Sequence, residues 1–126
     1  FIVIRYADVL LMAAELGSPN GLNYLNMVRT RAGLPAKTAL NQSDILDERR
    51  FEFAFEGLRY WDLLRQGLPT AAATIAQTQT VLSGNAPDVI TISAANITTT
   101  RGFMQIPNTQ ITLSNGVLKQ NPGWEK

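Results

Sequence analysis

Apolar residues recur at helical spacing along the first third of the chain. Tyr6, Val9, Leu10, Ala13 and Leu16 share one face of a 3.6-residue repeat and predict a helix from about Arg5 to Leu16. Gly17 is placed to end it in a left-handed cap. In the following "SPNG", Ser18 suits an N-cap and Pro19 the first helical position, where its missing N–H costs nothing. A second helix is predicted over about Pro19–Ala32, with Leu22, Leu25, Val28 and Ala32 on one face. Arg29 and Arg31 complement its C-terminal dipole, and Gly33 and Pro35 stop it. So short a connection predicts an antiparallel helix hairpin over residues 1–35.

A third helix is predicted from about Ser43 to Gln66, closed by Gly67 and Pro69. It contains "ERRFEFAFEGLRYWDLLRQG", residues 48–67. Phe51, Ala54, Phe55, Leu58 and Trp61 take one side; Leu46, Phe53, Tyr60 and Leu64 take another. Glu48, Arg49, Glu52, Glu56 and Arg59 fill the arc between them. A helix apolar on nearly every side is expected to be enclosed by protein. Gly57 in its interior costs about 1 kcal/mol relative to alanine and suggests close approach of another backbone.

Beyond Pro69 the pattern weakens. "TAAATIAQTQTVL" (70–82) is compatible with a further helix, although its threonines lower the propensity. "DVITIS" (88–93) alternates and predicts a strand. A short strand over Phe103–Ile106 and a helical turn after Pro107 follow, so residues 67–126 are expected to be a loop-rich tail with short strands. The expected fold class is mainly α.

Composition narrows the chemistry. Net charge is +1 and no block of like charge occurs, so nothing points to a nucleic-acid surface. The chain has no cysteine and no histidine, which excludes disulfides, thiolate metal sites and a Ser-His-Asp triad formed within it. Any catalysis by these residues alone would rest on carboxylates, Lys, Tyr or an oxygen-bound metal. The apolar run Val9–Leu16 is too short to span a bilayer, so no transmembrane segment is expected. A terminus as apolar as "FIVIRYADVLLMAAE" is expected to belong to something longer.

The charges of the third helix alternate at pairing distances. Arg49–Glu52, Glu56–Arg59, Arg59–Asp62 and Asp62–Arg65 are all i,i+3 neighbours, and Asp47–Arg50 is another, which predicts a structural ion-pair network. Neighbouring arginines favour ionised carboxylates, the wrong state for a general acid. Catalytic carboxyl pairs also face each other across a cleft. Asp44, Asp47 and Glu48 lack the spacing of a calcium loop. No catalytic residue, metal site or cofactor is therefore expected.

"IRYADVLLMAAE", "LNMVRTRAGLP", "DERRFEFAFEGLRYWDLLRQG", "FMQIP" and "LKQNPGW" occur in this order. Together they resemble the C-terminal part of the SusD/RagB family, surface nutrient-binding lipoproteins of Bacteroidota. The resemblance covers nearly the whole chain apart from about residues 70–100. It implies a longer, mostly helical protein with tetratricopeptide-like helix pairs, lipid-anchored at the outer membrane through an N-terminal cysteine upstream of this sequence. It implies a SusC-like TonB-dependent transporter as partner, a glycan or other nutrient as ligand, and no enzymatic activity. The family's sugar contacts come largely from regions outside this sequence, so none is carried over. Among the aromatics, Tyr24 and Trp124 are the candidates for stacking on a sugar, whereas Tyr6, Tyr60 and Trp61 are expected to pack internally. Alternatives are a helical-repeat scaffold that binds proteins, and a carboxylate-based glycoside hydrolase.

Overall fold

A computed structural model describes residues 4–84 and 86–125. They divide into one compact unit ending at Arg59 and a second beginning at Tyr60.

The first unit is built on the expected hairpin. Helix α1 (Tyr6–Glu15) packs on α2 (Gly21–Arg31), and Leu10, Leu11, Leu25 and Val28 form a buried cluster with Phe53. Gly17, at φ 79°, ends α1 as its position predicts: its N–H reaches Ala14 O at 3.2 Å, and Ser18 N reaches Ala13 O at 3.0 Å. The second helix starts at Gly21, later than Pro19. Ser18 and its neighbours instead form a turn, with Gly21 N donating to Ser18 O at 2.8 Å. A Cβ on Gly21 would lie 3.2 Å from Ala14 Cα, so this glycine sets how closely α2 approaches α1.

The single helix expected over 43–66 is interrupted. Helix α3 (Gln42–Glu52) stops before residues 53–58, and α4 (Arg59–Arg65) follows. The break coincides with a tertiary contact. Arg5 Nη2 donates to Glu52 O at 2.8 Å, occupying a carbonyl to which Glu56 N would bond in a continuous helix. Phe55 (φ 67°) and Gly57 (φ 77°) then carry the chain through left-handed conformations. Among the described residues Gly57 has nothing within 4 Å of an added Cβ, so its role is conformational and no close backbone approach is made there. The enclosure expected on all sides is also limited. Ile45, Glu48, Arg49 and Phe53 are buried, while Phe51, Phe55 and Trp61 are exposed.

In the second unit, α5 (Leu68–Ile75) follows Gly67, whose φ is 99°. The segment compatible with one helix over 70–82 divides: α5 ends at Ile75 and strand β1 (Gln77–Ser83) begins. Its alternating threonines pair antiparallel with β2 (Ala86–Ile92), Gln77 facing Ile92 and Ser83 facing Ala86. The strand predicted in 88–93 is present as β2. Helix α6 (Ala94–Thr99) packs on α5, and α7 (Asn108–Leu113) supplies the expected helical turn after Pro107. The strand predicted at Phe103–Ile106 is absent, because side chains rather than a neighbouring strand pair with that backbone. Among the described residues no helix is long and apolar enough to cross a membrane.

Candidate functional site

The glutamates of α3 and the loop after it face arginines from other elements. Glu52 accepts from Arg5 Nη1 at 2.8 Å and from Arg31 Nη2 at 2.6 Å. Glu56 accepts from Arg5 Nη2 at 2.7 Å and Nε at 3.2 Å, a two-pronged guanidinium–carboxylate contact. Glu48 accepts from Arg29 Nη1 at 2.7 Å. These hydrogen bonds, from Glu56 first and Glu52 second, hold Arg5 above its ordinary pKa. Arg49 donates to Asp8 at 2.6 Å, and the guanidinium carbons of Arg5 and Arg49 lie 4.7 and 5.1 Å from the Phe53 ring centre.

Most of the pairing expected within one helix is therefore replaced by pairing between elements. Arg59 donates to Leu46 O at 3.0 Å, and of the predicted i,i+3 pairs Asp62–Arg65 is present, at 2.6 Å. Once the helix breaks after Glu52, Glu56 and Arg59 no longer share a helical face. The arrangement fastens α3 to α1 and α2.

The second unit holds a different kind of site. The tail turns back along residues 103–106 and is fixed there by the side chains of "QNPGW". Gln120 Oε1 accepts from Ile106 N at 2.8 Å while its Nε2 donates to Ile106 O at 2.9 Å. Asn121 Nδ2 donates to Met104 O at 2.7 Å, and Trp124 Nε1 donates to Phe103 O at 2.9 Å. Gly123, at φ 76°, passes so close to Thr99 and Thr100 that a Cβ would meet their methyl groups at 3.1 Å.

This clasp sets one wall of an open hollow of about 460 Å³. Tyr60, Thr91, Asn96, Ile97, Phe103 and Trp124 are among its lining, and among the described residues no Asp, Glu, Lys or Arg is. The Tyr60 hydroxyl donates to Gly102 O at 2.5 Å, fixing that ring. Trp124 keeps 37% of its surface exposed.

The two aromatic candidates fare differently. Trp124 lines this hollow, whereas Tyr24 is half-buried against the core cluster of the first unit. Tyr6 and Trp61, expected to pack internally, are 70% and 57% exposed in this chain. Phe103 and Asn96 were not candidates from sequence. The blocks "FMQIP" and "LKQNPGW" are visible there, but nothing in their spacing says that one lies against the other.

The SusD family model matches residues 1–124. A SusD-like protein of Formosa agariphila is 38% identical over 82 residues, covering 51% of this chain and 16% of that protein. A SusD-like protein of Bacteroides ovatus is 36% identical over 70 residues, covering 49% of this chain and 13% of its own length. The chain thus corresponds to less than a fifth of these curated relatives. Surface glycan-binding protein A from Bacteroides thetaiotaomicron, solved alone and with laminarihexaose, is similar in structure with a TM-score of 0.69 and 34% identity. That likeness covers 94% of this chain and 24% of the other.

Proposed function

The chain belongs to the SusD family, and from that premise we propose that it is the C-terminal segment of a non-catalytic surface protein that binds a glycan or other nutrient. It works at the outer membrane beside a SusC-like TonB-dependent transporter, which receives the ligand. The observation that carries the reading is the likeness, at 34% identity and over 94% of the chain, to a surface glycan-binding protein solved with a bound oligosaccharide. The glutamates of α3 and the loop after it support the non-catalytic part, because each is engaged by an arginine of another element in fastening the fold.

The test is affinity electrophoresis of the intact protein through gels containing laminarin, starch, xyloglucan or mannan. The expected result is retardation by at least one polysaccharide with no new reducing ends after prolonged incubation. Hydrolysis that Glu52→Gln abolishes without unfolding the protein overturns the non-catalytic reading. Co-purification of a TonB-dependent transporter from outer membranes tests the partner, and its absence removes that part.

A further inference from the structure

We propose that the hollow between Trp124, Phe103 and Asn96 is a contact site for a neutral glycan, so that this segment touches ligand as well as supporting the fold. The proposal rests on the glycan-binding reading above and adds a place for the sugar. The first argument is charge. Among the described residues no carboxylate, ammonium or guanidinium lines the hollow, and the carboxylate beside it, that of Glu125, is engaged by Gly123 N at 2.7 Å. A lining without charge suits a neutral ligand. By contrast, the hollow beside α1 and α2 contains Arg5 and Arg31, and that beside α3 contains Arg29, Lys37 and three carboxylates.

The second argument is shape and surface. A pyranose ring presents C–H groups on its faces and hydroxyls around its rim. It therefore needs an apolar plate with hydrogen-bonding groups at the edge, the combination tryptophan and an amide provide. Trp124 supplies the plate, and Phe103, 54% exposed, extends the apolar surface. Asn96 is exposed on α6, and among the described residues its side-chain amide makes no hydrogen bond, leaving a donor and an acceptor for hydroxyls. At about 460 Å³ the hollow falls within the ~300–1,000 Å³ of small-ligand clefts.

The third argument is preorganisation. Trp124 Nε1 is held by Phe103 O at 2.9 Å, and Gln120 and Asn121 hold the segment that presents it. A plate already fixed loses little rotamer entropy on binding.

The experiment is calorimetric titration of the intact protein with laminarihexaose and with cello-, malto-, xylo- and mannohexaose, repeated on Asn96→Ala and Phe103→Ala. Asn96 is exposed, so its variant is expected to fold; Phe103→Ala keeps the carbonyl that holds Trp124. For any hexaose that binds, loss of the Asn96 hydrogen bonds is expected to weaken Kd about three- to tenfold. Phe103→Ala is expected to weaken it by a similar factor, and the Trp124 indole N–H resonance to shift in the unmodified protein. Binding that both variants leave unchanged, with no indole shift, overturns the site while the glycan-binding reading stands. No binding of any hexaose overturns the site and counts against a neutral-glycan ligand for the whole protein.

Discussion

Gln120 closes both hydrogen bonds to the backbone of Ile106, accepting from its N–H at 2.8 Å and donating to its carbonyl at 2.9 Å. The first unit repeats the device: Asn26 Oδ1 accepts from Lys37 N at 2.7 Å and Asn26 Nδ2 donates to Lys37 O at 3.0 Å. In each case one amide side chain takes the place of a neighbouring strand. Segments without regular structure are thereby fixed by chemistry that any backbone offers.

Gln120→Glu tests this geometry sharply. The carboxylate keeps the acceptor for Ile106 N but cannot donate to Ile106 O, which then faces a negative oxygen. We expect a loss of about 1–3 kcal/mol, read as a lower urea midpoint with unchanged m-value. Gln120→Ala is expected to cost about 1–2 kcal/mol by the same measurement.

The arginine–glutamate contacts should differ in value according to their exposure. The Arg5 side chain is 30% exposed, holds two glutamates and occupies the Glu52 carbonyl; that of Arg31 is 62% exposed and, among the described residues, pairs with Glu52. Arg5→Met is expected to destabilise by about 1–3 kcal/mol, and Arg31→Met by less than about 1 kcal/mol. Equal losses in urea unfolding would show that the Arg5 contact at the end of α3 has no special weight.

Two glycines separate conformational strain from crowding. Gly17 and Gly123 both have positive φ, but an added Cβ meets nothing at Gly17 and meets Thr99, Thr100 and backbone at Gly123. Gly17→Ala is expected to cost roughly 1–2 kcal/mol from the left-handed backbone alone. Gly123→Ala should cost more, because its contacts at 3.1–3.2 Å must also give way. Thermal unfolding of the two variants side by side measures the difference.

Asp44 gives a pH dependence with a definite sign. Lys37 Nζ at 2.8 Å and Asn41 Nδ2 at 3.0 Å hold its carboxyl below the ordinary aspartate pKa, the lysine hydrogen bond contributing most. A lowered folded-state pKa means stability that is present above the unfolded value and lost as pH falls through the folded one. Lys37→Met should therefore be less stable than the unmodified protein at pH 7. That difference should shrink below about pH 4, where the unfolded carboxyl is protonated. A carbon-detected titration of Asp44 should show its midpoint rising in the variant.

Much of the first unit was legible in the residue pattern. Leu25 and Val28 marked the buried face of α2 and Gly17 the end of α1. Such features depend on neighbours a few residues apart, which the sequence places side by side. Of the face read for α1, by contrast, only Leu10 is buried: Tyr6, Val9 and Leu16 are exposed. Leu11 and Ala14 face the core instead, because the partner helix lies on a neighbouring side of α1. The ordered blocks also identified the family, later matched over residues 1–124. The interruption of the third helix was not legible. Its pattern favours one continuous helix, and the group that claims the Glu52 carbonyl is Arg5, 47 residues away.

The tail shows the same division. "FMQIP" and "LKQNPGW" are plain in the sequence, yet Phe103–Ile106 reads as a short strand. The backbone partners it requires come from Gln120, Asn121 and Trp124 instead. By itself the sequence determined the helix hairpin, the predominance of α structure, the absence of histidine and cysteine chemistry, and the family. Only the tertiary structure decided which arginine meets which glutamate, where the third helix ends, and that Trp124, Phe103 and Asn96 border one hollow. Local periodicity encodes which face of a segment is apolar. A long-range hydrogen bond depends on where the folded chain brings its donors, and that follows from the packing of every element together.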